Sequence, residues 1–279
     1  MRISLIIPSY NRCHFLQRAL LSVLNQSHLP DEIIVIDDGS TDDTAAMLAK
    51  DFPQVIYLYQ ENSGVSAARN VGIQQATGDW IALLDSDDVW LKDKLASQVS
   101  ALEQSPDSKV CHTEEIWIRQ GVRVNAMNKH KKSGGWIFKQ CLPLCAMSPS
   151  SILLHRSVFA DVGYFDTALP ACEDYDLWLR ITAKYPVLFL EQPLLEKYGG
   201  HEDQLSHQYW GMDRFRIQAL DKLLKNTPLT PEQRQLASNM LLKKARIFQK
   251  GALKRGKTES VAEYQAIIDE YSLNIAPMI

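Results

Sequence analysis

Four dense apolar runs punctuate the first hundred residues: Ile3–Ile7, Ile33–Ile36, Val55–Tyr59 and Trp80–Leu84. Each is short and rich in β-branched or aromatic side chains, as strands are. Between them lie Phe15–Leu24, Thr41–Lys50 and Ser66–Ala76, patterned as amphipathic helices. In the first, Leu16, Ala19, Leu20, Val23 and Leu24 recur at i, i+3, i+4, i+7 and i+8, the spacing of one buried helical face. Runs apolar on both faces that alternate with helices predict an α/β fold built on a parallel sheet covered on two sides. Ligands of such sheets sit beyond the carboxyl ends of the strands, so chemistry is expected in the residues that follow each run.

Those residues are Pro8-Ser9-Tyr10-Asn11-Arg12, Asp37-Asp38-Gly39-Ser40-Thr41, Asn62-Ser63-Gly64 and Asp85-Ser86-Asp87-Asp88. Asp42 and Asp43 read as acids in the first turn of a helix capped by Ser40 or Thr41, where they offset the helix dipole. Gly39 and Gly64 read as turn glycines. Asp85, Asp87 and Asp88 are different. Three carboxylates in four residues after a buried strand repel one another unless a cation neutralises them, which points to a metal or metal–phosphate site. Farther on, Glu173, Asp174 and Asp176 open a helix whose apolar face includes Leu177, Trp178 and Ile181. Alone, they would be dipole partners, with Arg180 placed to pair Asp176 at i+4.

Taken together, Leu5-Ile6-Ile7-Pro8-Ser9-Tyr10-Asn11, Ile36-Asp37-Asp38-Gly39-Ser40-Thr41-Asp42, Asn62 to Asn70 and Gly78 to Asp88 resemble the motifs of family 2 glycosyltransferases, in the family's order and spacing. Asp85-Ser86-Asp87 stands where the family has its D-x-D motif, and Glu173-Asp174-Tyr175-Asp176 resembles its acidic motif. The resemblance runs to about residue 205 and implies the GT-A fold, with transfer of a sugar from a nucleotide diphosphate to an acceptor hydroxyl. It further implies that Pro8, Tyr10, Asp38, Arg69, Asp85 and Asp87 bind the nucleotide sugar. Tyr10 would stack on the base, which is expected to be uracil, and Asp38 would accept its imide N–H. Arg69 would reach the nucleotide or phosphates, its plain alternative being a solvated or sheet-bridging cation. Asp87 would ligate Mg2+ or Mn2+ between the phosphates, with His201 a further ligand. Asp174 would serve as the base of an inverting displacement.

Composition and charge refine this picture. Hydrophobic residues at 46% and charged residues at 23% are ordinary globular values. A net charge of −3 gives no reason to expect nucleic acid. No run approaches the ~18 apolar residues of a spanning helix. The N-terminal apolar run is too short for a signal-peptide core, and five cysteines without a C-x-x-C pair suit a reduced, cytoplasmic setting. Residues 206–279 carry 12 Lys and Arg against 7 Asp and Glu, while residues 1–205 balance at −8. The expected organisation is therefore a GT-A domain over 1–205, divided near 105 into donor and acceptor halves, and a basic helical extension over 206–279. Leu236, Met240, Leu241 and Ile247 would pack that extension, and its cations 243–257 would form a plain solvated helical face or meet an anionic membrane or a lipid-linked acceptor. The region 110–151 reads as irregular acceptor-binding strands and a loop, with Trp117, Trp136 and Trp178 as stacking faces or core residues.

Other classes fit less well. His201 and His207 are six apart, not the four that place two zinc ligands on one helical face. Ala68 spoils a G-x-S-x-G elbow, and no G-x-G-x-x-G follows a strand. A sugar-nucleotide pyrophosphorylase would carry a Gly-rich basic loop where Pro8-Ser9-Tyr10-Asn11 stands. A catalytically silent nucleotide-sugar-binding scaffold would be expected to lack Asp87 or Asp174, and both are present.

Overall fold

Alternation along the central strands divides the core into two layers. The computed structural model describes residues 1–125, 127, 130–200, 209 and 211–273. In β1 (Ile3–Ser9), Ile3, Leu5 and Ile7 enter one apolar cluster and Ile6 the other. In β2 (Glu32–Asp37), Ile33 and Val35 part from Ile34 and Ile36 in the same way. Period-2 alternation with both faces buried needs a helical layer on each side. One is supplied by α1 (Cys13–Leu24), α2 (Thr44–Asp51) and a helix introduced below, the other by α3 (Val65–Gln75) and later helices. At Gly72 of α3, an added Cβ would meet Ile6 Cγ2 at 2.4 Å, so glycine is what lets this helix lie close on β1.

β3 (Ile56–Tyr59) and β4 (Trp80–Leu83) complete a parallel quartet in the order β3-β2-β1-β4. β3 is the edge and leaves Ile56, Tyr57 and Tyr59 exposed. Beyond β4 the sheet is mixed. β5 (Val89–Trp90) leads into α4 (Lys94–Glu103), which joins α1 and α2 on their face. β6 (Val110–Arg119), β7 (Val122–Val124), β8 (Leu153–His155) and β9 (Leu188–Gly199) extend the order as β4-β8-β6-β9-β5, with β7 paired to β6. Only β6 and β9 run parallel there. The short α5 (Phe138–Cys141), α6 (Ser157–Val162) and α7 (Glu173–Lys184) lie on the face of α3.

Two expectations are corrected. Leu24 is exposed, because α1 ends there and its apolar stripe stops at Val23. The helix expected from Thr41 begins at Thr44. Asp42 accepts the Thr44 amide and hydroxyl on Oδ1 and the Cys13 amide on Oδ2, so it caps the starts of α2 and α1 from outside both helices.

The C-terminal region forms α8 (Asp213–Asn226), α9 (Pro231–Lys254) and α10 (Thr258–Leu273). α9 starts in a reciprocal cap, Thr230 Oγ1 accepting the Gln233 amide and Gln233 Oε1 the Thr230 amide, with Pro231 next. Phe215, Leu220, Leu241, Phe248 and Tyr264 share one buried cluster with Trp178 and Leu179 of α7. These helices are thus packed on the body. Leu241 is buried as expected, but Ile247 is 60% exposed, on the outward side of α9. Among the described residues, no helix is long and apolar enough to cross a membrane.

Candidate functional site

The ends of β1 and β2 are knotted together by Asn11. Its φ of 49° is left-handed, a conformation that asparagine tolerates. In that pose its amide donates to Ser40 Oγ (2.8 Å) and its Oδ1 accepts the Thr41 amide (2.7 Å). Tyr10 beside it is 48% exposed, a free aromatic face at the strand end, while Pro8 is buried within β1. Asp37 is structural, accepting the Ser40 amide and the Tyr57 hydroxyl at 2.8 Å each. Asp38 is buried and holds the next turn: Gln60 Nε2 (2.6 Å) and the Ser63 amide (2.9 Å) reach Oδ1, and the Gly64 amide (2.9 Å) reaches Oδ2. A carboxylate offers about four acceptor positions, so one on Oδ2 remains for a ligand donor.

The cations that the Asp85–Asp88 cluster requires come largely from the chain. Arg69, 3% exposed, donates through Nη2 to Asp85 Oδ1 and through Nη1 to Glu173 Oε1, both at 2.7 Å. Its guanidinium bridges carboxylates and lies over the Phe165 ring. Burial works against that charge, but Asp85 and Glu173 outweigh it and hold the group protonated above its usual range. Arg12 donates to Asp87 Oδ2 at 2.6 Å, and Arg18 to the Asp87 carbonyl at 2.6 Å. Asp88 is buried, taking Ser150 Oγ at 2.6 Å and the Tyr198 amide at 2.9 Å. Burial first, then Asp87, pushes its carboxyl well above the usual range. Ser150 also accepts the Asp85 amide (3.0 Å), so one hydroxyl ties this loop to the turn Pro149–Ser151.

The second half of the chain contributes the start of α7. Cys172, its cap residue, has φ 62°, an uncommon and strained conformation for a residue that is neither Gly nor Asn. Glu173 is buried against Arg69; burial and then Asp174 raise its pKa, and Arg69 opposes them. Asp174 is half-buried, with Oδ1 accepting the Tyr175 amide (2.6 Å) and Oδ2 facing Cys145 Sγ (3.0 Å). Asp176 is buried and paired with Arg180 at 2.6 Å, with Lys222 at 3.3 Å. Its structural reading from the i+4 spacing is borne out.

Arg69 therefore brings Asp85 and Glu173 together from β4 and α7, and Asp87 and Asp174 flank that bridge in sequence. Tyr10 and Asp38 stand at the ends of β1 and β2 in the same parallel quartet. His201 lies outside the described residues, as do Ala126, Lys129 and the boundary at 205. Trp178 is fully buried and Trp136 is 65% exposed, which separates the core indole from the free one.

Sequence reasoning missed a buried polar group behind the site. Glu115 accepts Trp117 Nε1 (2.7 Å) on Oε1 and Ser148 Oγ (2.6 Å) on Oε2, where Lys132 Nζ also sits at 2.7 Å. Burial would raise the Glu115 pKa, but Lys132 and Lys197 hold it well below the carboxylate range. Lys197 is likewise opposed by burial and kept charged by Glu115, Asp88 and Asp85. A charged residue inside a strand pattern was the available signal, and Glu115 and Lys197 both carry it. Lys132 does lie in an irregular stretch, as expected of the region 110–151, but its side chain is buried.

A divalent cation fits the chemistry of this edge. Hard cations take carboxylate oxygens, and Mg2+ commonly uses one or two of them with substrate phosphates and water. The hydrogen bonds of Asp85 and Asp87 among the described residues fall on Oδ1 and Oδ2 respectively, leaving the other oxygen of each to a ligand. Among the described residues, no group of three or more His, Cys, Asp or Glu side chains could hold a metal, so substrate oxygens would have to complete the shell.

The family model described as "Glycosyl transferase family 2" matches residues 4–161. An uncharacterized glycosyltransferase of Rickettsia conorii is 34% identical over 196 residues, 69% of this chain and 32% of that protein. The Bacillus subtilis protein named "Putative teichuronic acid biosynthesis glycosyltransferase TuaG" is 44% identical over 102 residues, 35% of this chain and 40% of its own. The crystal structure of S. aureus TarS 1–349 in complex with UDP-GlcNAc superposes with a TM-score of 0.71 at 17% identity, covering 100% of this chain and 93% of that one. At that identity the likeness concerns the fold. The chain spans about a third of the length of the first Rickettsia relatives.

Proposed function

Because the chain belongs to glycosyl transferase family 2, we propose that it transfers a sugar from a UDP-linked donor to an acceptor hydroxyl with inversion, in the synthesis of a surface polysaccharide or glycolipid. The observation that carries this reading is the Arg69 bridge, which joins the strand-end carboxylates of the donor half to the first turn of α7. The bound UDP-GlcNAc of the TarS structure supports the donor class, and the teichuronic acid role in the TuaG name supports the acceptor class.

In this mechanism the exposed Tyr10 ring offers the nucleobase a stacking face, and the remaining acceptor position on Asp38 takes its imide N–H. Asp85, oriented by Arg69, holds the ribose or the sugar. Asp87, with His201 as a further ligand, would hold Mg2+ or Mn2+, which when bound supplies positive charge to the departing diphosphate. Asp174 accepts the proton of the acceptor hydroxyl, and a single carboxylate on the acceptor side suits direct displacement. We further propose peripheral contact with anionic lipid at the cytoplasmic face through the cations of 243–257 other than the buried Lys244; flotation with vesicles lacking and containing anionic lipid tests it, and charge-independent recovery counts against it.

The test of the main reading is a donor screen by thermal shift with Mn2+. UDP and UDP-sugars should raise Tm more than GDP and GDP-sugars, since ligand binding to the native state stabilises it by mass action. Asp38→Asn should narrow that preference. Equal shifts for UDP and GDP in the wild type would contradict uridine recognition, and activity indifferent to a chelator would contradict the metal.

A further inference from the structure

We propose that Cys145 is a positioning residue for Asp174, holding the carboxylate in one orientation for proton transfer. This rests on Asp174 being the base. The Cys145 Sγ lies 3.0 Å from Asp174 Oδ2 and 3.1 Å from the Met147 carbonyl oxygen. One S–H serves one acceptor at a time, so these are alternatives. The other carboxylate oxygen takes the Tyr175 amide at 2.6 Å. Two donors from different segments therefore fix the plane of the carboxylate, and each oxygen keeps a position for the acceptor hydroxyl. Burial and the adjoining Asp174 push the Cys145 thiol well above its ordinary pKa, so the sulfur keeps its proton at neutral pH.

The turn that carries Cys145 is braced from two directions. The Tyr175 hydroxyl donates to the Leu142 carbonyl at 2.6 Å, and Lys244 of α9 donates to the Pro143 carbonyl at 2.9 Å. Lys244 is itself buried and paired with Asp213 of α8 at 2.9 Å. One cation of the basic extension is thus turned inward, two residues from the thiol that touches the base. The second acceptor gives the arrangement its use. When Asp174 takes the acceptor's proton, the S–H can rotate to Met147 O, so the carboxyl loses its charge without stranding a buried donor. The thiol keeps its own proton throughout, and no bond to sulfur forms or breaks.

The test is the infrared S–H stretching band, isolated as the difference between wild-type protein and Cys145→Ser. Asp174→Asn replaces a charged acceptor with a weaker neutral one and should move that band to higher frequency. In parallel, UDP release from UDP-N-acetylglucosamine, with water as acceptor, should fall about tenfold in kcat for Cys145→Ala at unchanged KM. Cys145→Ser, which keeps a donor, should restore it. A band unmoved by Asp174→Asn overturns the contact. Equal losses in the Ala and Ser variants, or none in either, overturn the positioning role. If Asp174→Asn itself retains turnover, the base reading fails and this proposal with it; a silent Asp174→Asn with an unaffected Cys145→Ala sinks this proposal alone.

Discussion

The two sides of the site are built in opposite ways. On the donor side, Asn11 and Asp38 lie just beyond parallel strands, and their partners lie in the neighbouring loops: Asn11 with Ser40 and Thr41, Asp38 with Ser63 and Gly64. On the acceptor side, the partners come from elements of different kinds: the turn at Cys145 with α7 at Asp174, β6 at Glu115 with the loop at Lys132, and Pro143 with Lys244 of α9. A nucleotide diphosphate is a constant ligand that a repeated strand-end geometry can meet. The acceptor side is assembled from a mixed sheet, irregular turns and helices from the end of the chain. Its geometry depends on the whole fold being closed, which predicts that it fails in different ways when perturbed.

Asp174→Asn should separate the two sides most sharply, lowering turnover by roughly two to four orders of magnitude. Asp176→Asn should act mainly on stability, through Arg180; a larger loss of turnover there at unchanged stability would put the base two residues later. Arg69→Met should break the join between the sides. It leaves Asp85 and the buried Glu173 without their cation, for a loss of about 3–5 kcal/mol in denaturant unfolding. A loss confined to donor binding at full stability would return Arg69 to a ligand contact.

Lys244→Met removes a buried charged donor and should cost about 1.5–3 kcal/mol. It should lower turnover while UDP affinity holds, because the brace reaches the Cys145 turn and not the donor edge. The smallest effect concerns Lys94 of α4, whose Nζ contacts Gln98 Oε1 at 2.7 Å and lies over the Trp90 ring. Burial pulls its pKa from 10.5 down to about 7. Between those values the unfolded chain binds the proton that the folded chain has released, so stability from this group rises with pH. From pH 7.5 to 9 the gain should be roughly 1–2 kcal/mol. Lys94→Met should flatten that slope, and an unchanged slope in the variant would assign it to another group.

The same contrast explains what the chain disclosed as sequence. β1, β2 and β4 were legible because strands buried on both faces leave uninterrupted apolar runs such as Ile3–Ile7 and Trp80–Leu84, while the edge strand β3 showed through its β-branched and aromatic residues despite their exposure. The carboxylates at their ends were legible because contiguous residues carry them. The positive charge expected beside Asp85, Asp87 and Asp88 comes in part from the chain itself, through Arg69 and Arg12. Arg12 sat in a motif already singled out, without a role. Lys244 could not be read, since a cation in a basic run looks solvated until Asp213 and Pro143 are brought beside it. Nor could Cys145, since no motif or periodicity announces a thiol's contact with Asp174.

Calorimetric titration of UDP into wild-type protein and Asp174→Asn, in the presence of Mn2+, tests most directly whether nucleotide binding and proton transfer belong to different sides. The account predicts UDP binding by both proteins with affinities within about twofold, since the hydrogen bonds of Asp174 among the described residues come from Cys145 and Tyr175, not from the donor edge. Absence of UDP binding by the wild type, or a loss of affinity in Asp174→Asn that parallels its loss of turnover, would contradict it.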